Sequence, residues 1–268
     1  MKKSTGLALA LGLAATATIA QAEEVNVLVS PSYAPMEYRD PTSGELTGLD
    51  VELQEALARA MGVQVVWQET SFPQLIPSLQ TGRGDVIHSG MSDLPSRREA
   101  LIFLDYMKSG AQFFALAERA DEFASPEDFC GHLVGTPKST SFPDEVAAFS
   151  AQHCEANGKP PVEVLSVESG PDTLLQLRQR RVDGGVFGSE TLPYLAAQGD
   201  VPIVTVGEPI VSVMQGLAFL KDNTDLLARY QVALAEIMES GEYAAIFEKW
   251  DQSVNMIYAV HINGEPVR

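Results

Sequence analysis

Twice along the chain, short β-type runs alternate with segments of helical spacing, and this repeat restricts the fold more than any other feature. Residues 25–30 are a short aliphatic run. After a loop rich in Pro, Gly and Ser, apolar Leu49, Leu53, Leu57 and Ala60 recur at helical spacing, and Gly62 closes the segment. Strand-type residues return at 63–67, a helix is expected at 72–80 with a stop at Gly82, and a third strand at 86–89. The order β-α-β-α-β is the mark of an α/β layer. The alternation restarts after Ser125, where Ser125-Pro126-Glu127 reads as a helix start. Strands are expected at 133–136, 162–167, 184–187 and 201–206, with helices at 142–154 and 172–179. A strand at 217–220 and helices at about 222–240 and 242–250 complete the pattern. The expected fold class is α/β, with two lobes of similar size, each a sheet flanked by helices.

The first 22 residues stand outside this pattern. Lys2 and Lys3 precede an apolar run of mostly Ala and Leu, which ends in Ala20-Gln21-Ala22. Basic, apolar and small residues in that order are the layout of a secretory signal, and cleavage is expected after Ala22. The apolar run is short for a membrane span. Without its 22 leader residues the 268-residue chain keeps 246, enough for one large or two smaller cores. Losing Lys2 and Lys3 takes the net charge from −18 to −20. So acidic a body has nothing to neutralise phosphates with, so nucleic acid is not an expected partner. Cys130 and Cys154 are the only cysteines, and in an exported chain an even count reads as one disulfide. Two cysteines and four scattered histidines, His88, His132, His153 and His261, do not make a metal site.

Several chemistries lack their signatures. There is no G-x-G-x-x-G after a strand, no G-x-x-x-x-G-K-[ST] and no G-x-S-x-G elbow. No cofactor is implied. Two α/β lobes with no phosphate loop point to a small molecule held in the crevice between them.

Five blocks, in order, carry a resemblance to a known family. They are Tyr33-Ala34-Pro35-Met36-Glu37-Tyr38 with Gly44 to Leu53; Phe72 to Leu79; Gly84-Asp85-Val86 through Ser92 with Arg97 to Asp105; Val134 to Thr140; and Gly241-Glu242-Tyr243 through Trp250. Together they resemble the family 3 solute-binding proteins, the polar-amino-acid receptors of ABC importers. The resemblance implies the type II periplasmic binding protein fold, a periplasmic location, a permease partner in the inner membrane and, as the family expectation, a monomer. It also implies that lobe 1 comprises 23–113 and 214–268 and lobe 2 comprises 114–213. Two strands would cross between the lobes, near 111–116 and near 211–216.

The same resemblance nominates site residues. Arg97 matches the arginine that grips the ligand's carboxylate, a role suited to a planar, permanently charged fork. Ser89, Gly90 and Ser92 match the loop that offers N–H groups and a hydroxyl to that carboxylate. Tyr33 and Phe72 match rings that pack on the ligand, and Ser139, Thr140, Ser141 and Phe142 match the second-lobe ligand loop. Phe142 stands where some relatives carry a polar residue, which hints at a less polar ligand side chain. Gly188 is a departure, because the family usually has an Asp there that pairs with the ligand's ammonium. Either Glu190 reaches that position from two residues away, or the ligand lacks a free α-amino group. His88 is expected to be buried structure. The alternative reading is an enzyme on the same scaffold, a periplasmic cyclohexadienyl (prephenate or arogenate) dehydratase, with Glu190 as proton donor and Arg97 holding a substrate carboxylate.

Overall fold

The computed structural model describes residues 23–198 and 201–267; the expected signal segment and its cleavage point lie outside the described residues. The first stretch builds β1 (Glu24–Val29), β2 (Ser32–Tyr33), β3 (Glu37–Arg39), β4 (Leu46–Thr47), α1 (Leu49–Met61), β5 (Gln64–Glu69), α2 (Leu75–Gln80), β6 (Val86–Ile87) and β7 (Leu101–Ser109). The middle builds β8 (Ala111–Leu116), β9 (Leu133–Pro137), α3 (Phe142–Phe149), β10 (Glu163–Val167), α4 (Gly170–Arg178), β11 (Gly184–Gly188), α5 (Leu192–Gln198) and β12 (Ile203–Val206). The chain then returns through β13 (Val213–Leu220), α6 (Thr224–Ser240), α7 (Glu242–Lys249), β14 (Met256–Ile262) and β15 (Glu265–Pro266).

One sheet has the order β15-β14-β7-β13-β6-β1-β5 and the other β10-β9-β11-β8-β12; a small ribbon, β2-β3-β4, lies apart from both. In the first sheet β1 runs parallel to both β5 and β6, and the sheet is covered on both faces. One apolar cluster joins Val25 and Val27 to α1, α6 and α7. Another joins Leu28 and Ile87 to Leu75 and Leu79 of α2. The second sheet is sandwiched the same way. Phe113, Val134 and Val186 face α3, while Phe114 and Phe187 pack with Leu177 of α4 and Leu192 of α5.

Local sequence explains the elements that place the cleft. In α1, Leu49, Leu53, Ala56 and Leu57 are buried on one stripe. Gly48 enters that helix at φ 132°, and any Cβ there would collide with the Met36 carbonyl. Gly62 leaves it in the left-handed conformation at φ 69°. The segment expected to be a helix from Ser125 is only a 3-10 turn, Pro126–Phe129, held by a Ser125–Asp128 capping box. The helix expected over 142–154 is α-helical to Phe149 and continues as a π turn, Ser150–Cys154. That turn brings Cys154 to Cys130, and the two are disulfide-bonded across a Cα–Cα distance of 5.5 Å.

Strand β8 pairs wholly inside the second sheet and β13 wholly inside the first. The chain therefore changes sheets at Gly110 on the way out and over residues 207–212 on the way back. A Cβ on Gly110 would collide with the Val211 carbonyl, so the two crossing segments touch there. Ser189 N–H also donates to the Gly110 carbonyl at 2.8 Å, which brings the end of β11 to the same point.

Candidate functional site

Between the two sheets lies a cleft of about 590 Å³, a volume suited to an amino-acid-sized molecule. Lobe 1 lines it with the loop after β1, with Phe72, and with Gly90, Ser92 and Arg97 from the loop between β6 and β7; the other lobe supplies Thr140, Ser141 and Phe142. Gly90 takes φ 48°, and a Cβ there would press on the Tyr33 ring at 2.9 Å, so the backbone approaches the ring as closely as glycine allows.

Arg97 is the only cation on this wall without a carboxylate within ion-pair distance among the described residues. Its guanidinium donates to the Ser92 carbonyl at 2.8 Å and, across the cleft, to the Ser139 carbonyl at 3.4 Å. It also lies 5.8 Å from the centre of the Phe72 ring. Burial pulls its pKa down to about 10, with Glu145 and Asp93 pulling the other way, so it stays charged at neutral pH. Ser92 Oγ and Ser141 Oγ are 3.5 Å apart, another meeting of the lobes.

Four nominated residues do not line the cleft. Ser89 lies behind the wall, accepting from Ser30 N–H at 3.0 Å and donating to Glu37 at 2.7 Å. Ser139 takes φ 63° and contributes its carbonyl to Arg97 rather than its hydroxyl to the cavity. Gly188 and Glu190 sit at the back, where the crossing segments meet. Any Cβ on Gly188 would collide with the Tyr33 hydroxyl and the Glu190 carboxylate. The glycine thus vacates the space that the Glu190 carboxylate fills.

Glu190 is 1% exposed and its carboxylate is fully engaged. Tyr33 Oη donates to Oε1 at 2.7 Å, Gln215 Nε2 to Oε1 at 2.7 Å, and Ser109 Oγ to Oε2. Burial pushes its pKa up, and these three donors oppose that shift. The Tyr33 hydroxyl, buried beside this anion, is held well above its usual pKa and remains a donor. Glu37, which lines the cleft, shares a site with the buried Asp50. Burial and the Asp50 charge raise Glu37 well above the carboxylate range, while burial lifts Asp50 to about 6. His88 is completely buried, meets Gln54 Oε1 at 3.0 Å, and is depressed by burial to about 3, so it is neutral.

Gln215 was not among the residues nominated from sequence, yet it lines the cleft and is 2% exposed. One signal could have found it: it is the lone polar side chain in the otherwise apolar strand β13. Tyr38, Leu174, Phe187 and Leu195 also line the cleft unforeseen. Among the described residues no cluster of three or more His, Cys, Asp or Glu side chains could hold a metal ion.

The two lobes are joined not by the expected crossing strands but by short segments at Gly110 and 207–212, because β8 and β13 each pair within one sheet; with an unpaired arginine facing the cleft, they define a solute receptor of the two-lobed kind. The chain belongs to the bacterial extracellular solute-binding proteins, family 3, whose sequence model matches residues 25–253. It is 29% identical to an arginine-binding protein of Corynebacterium glutamicum over 250 residues, 93% of this chain and 81% of that one. Its structure resembles an ancestral arginine-binding protein bound to arginine, with a TM-score of 0.75 and 27% identity over 85% of this chain and 97% of the other. It also resembles an ancestral amino acid-binding protein described as a precursor of cyclohexadienyl dehydratase, with a TM-score of 0.71 and 26% identity over 85% of this chain and 95% of the other.

Proposed function

We propose that this chain is the periplasmic substrate-binding component of an ABC importer, and that it captures an amino-acid-like carboxylate bearing an apolar side chain. In this reading the lobes are taken as 23–113 with 214–268 against 114–213, and the pairing of β8 within the second sheet favours moving the outward boundary to Gly110. The observation that carries the reading is Arg97, a half-buried cation on the cleft wall whose fork is met only by backbone carbonyls. A ligand carboxylate supplies the missing anion through two parallel charge-assisted hydrogen bonds. Closure then needs no covalent chemistry: the ligand favours the closed form because both lobes contact it only there. The closed monomer is what docks on the permease.

The side-chain preference follows from the rest of the wall. Phe72, Phe142, Phe187, Tyr38, Leu174 and Leu195 are apolar or aromatic. Of the two carboxylates on it, Glu168 is paired with Lys138, and Glu37 is buried, already accepts from Ser89, and is pushed well above its usual pKa by burial. A cationic side chain finds no free anion there. For the dehydratase alternative, Glu190 would have to offer a proton to the cleft, but its carboxylate already accepts from Tyr33, Gln215 and Ser109 and is off the wall.

The test is thermal unfolding of the mature protein after unfolding and refolding to strip carried-over ligand. The panel should hold the standard amino acids, N-methylated and betaine-like acids, and prephenate. A ligand at a hundred times its Kd adds about 2.7 kcal/mol, a shift of roughly 5–10 °C. Shifts with phenylalanine- or leucine-like carboxylates that exceed those with arginine support the reading. A folded protein indifferent to every carboxylate would sink it, and a shift with prephenate alone would move the assignment to the enzyme.

A further inference from the structure

Gln215 holds one end of its amide in a fixed direction. Nε2 donates to the Glu190 carboxylate at 2.7 Å, and rotating the amide by half a turn would set its oxygen against that carboxylate instead. The other end, Oε1, is buried and accepts no hydrogen bond. An amide oxygen left so costs stability unless a partner arrives. Gln215 is on the cleft wall, so the arriving partner is a molecule in the cleft. Tyr33 is arranged alike: its hydroxyl proton is committed to Glu190, so its oxygen faces other groups only as an acceptor.

We propose that Gln215 Oε1, assisted by the Tyr33 oxygen, is the acceptor for an N–H group on the ligand's α-nitrogen, and that Glu190 acts behind them as the positioning residue. This rests on the receptor reading above and specifies what that receptor accepts. The negative charge is one bond removed from the ligand, in a slot that opens because residue 188 has no side chain. Primary and secondary α-ammonium groups, which carry at least two N–H donors, satisfy both acceptors. A quaternary nitrogen or a carbon at that position satisfies neither and leaves Oε1 unpaired. Glu190 fixes the amide direction, so it sets selectivity without touching the ligand.

The experiment is titration calorimetry on refolded, ligand-stripped protein with three scaffolds, phenylalanine, leucine and arginine. Each is offered as the L-amino acid, its N,N,N-trimethyl betaine and its deamino acid, and the scaffold that binds wild type most tightly is carried forward. Wild type should favour the amino acid over both analogues by about ten- to a hundredfold, the usual worth of a hydrogen bond to a charged group. Gln215→Met, close in volume but without the acceptor, should lose that preference, read as the ratio of amino-acid to deamino-acid affinity within the variant itself, whatever change the two affinities share. Glu190→Gln frees the amide to turn and should shrink the preference by about tenfold, independently of how Gln215→Met folds. A preference that survives both substitutions, or a wild type that favours the deamino acid or the betaine, overturns the inference. Failure of the receptor reading looks different: there Arg97→Ala leaves the affinities for all three forms unchanged.

Discussion

Two adjacent arginines, Arg97 and Arg98, face opposite fates, and the regions they serve differ accordingly. Arg98 turns away from the cleft and forks onto Asp93, Nε to Oδ1 at 2.5 Å and Nη2 to Oδ2 at 2.7 Å. That pair lies under the hairpin of β14 and β15, where Gly264 N–H donates to Asp105 at 2.8 Å and Asn263 bonds both the N–H and the carbonyl of Phe103. Asp93 holds Arg98 above its usual pKa, whereas burial pulls Arg97 down. One arginine is satisfied by the protein and holds it together. The other is left unsatisfied by carboxylates and is available to a ligand. Of two neighbouring cations, the one without a carboxylate partner is the candidate for ligand binding.

Arg97→Ala should have the largest effect. Loss of two charge-assisted hydrogen bonds should weaken carboxylate binding by about 3–5 kcal/mol, while thermal stability is kept or slightly improved. Calorimetry showing unchanged affinity would erase the distinction between the two arginines. Arg98→Ala should do the reverse. It strips the partner from Asp93, which is 5% exposed, and should cost about 2 kcal/mol, less than a fully buried pair because the Arg98 side chain is a third exposed. Ligand affinity should hold within a few fold, and an unmoved melting temperature would show that the cluster contributes nothing.

The smallest effect is a pH slope that sharpens the contrast. Burial and the nearby Asp93 charge push Asp105 up to about 8. A carboxyl that binds its proton more tightly folded than unfolded contributes stability at pH 4 and below, and that contribution is lost as pH rises toward 8. Asp105→Asn should flatten this slope by on the order of 1 kcal/mol, the coupling to Asp93 spreading the titration. Melting curves of both proteins across that range would show it, and parallel curves would place the slope elsewhere.

The sequence made the repeated units legible because their signals are local. Leu49, Leu53 and Leu57 announce α1, and glycines mark its ends. The long strand β7 was not foreseen, since Leu101 to Met107 is an apolar run with no alternation and carries a buried Asp105 that only its tertiary partners explain. Nor was the β14–β15 hairpin, whose outer face keeps Tyr258 88% exposed and whose pairing depends on a distant strand. In the site, Arg97 could be placed from motif register alone. Gln215 could not, because its meaning depends on the Glu190 carboxylate, which in turn depends on the side chain missing at position 188. Sequence raised the question of Gly188 and Glu190, and only the packing of Tyr33 against them connects the two.

The first sheet draws strands from Glu24–Val29 at one end of the described chain and Glu265–Pro266 at the other, whereas the second is built entirely from Ala111 to Val206. An exported chain emerges amino end first, so residues reach the compartment where Cys130 and Cys154 can pair in sequence order. The middle lobe, with its own disulfide, can therefore finish folding while the opening strands still wait for their last neighbours. Until the final hairpin arrives, the edge of β7 that β14 will cover stays open, and the unfinished half must be kept from pairing with other chains. The receptor is thus assembled from the inside outward, and its last residues close the half that carries Arg97.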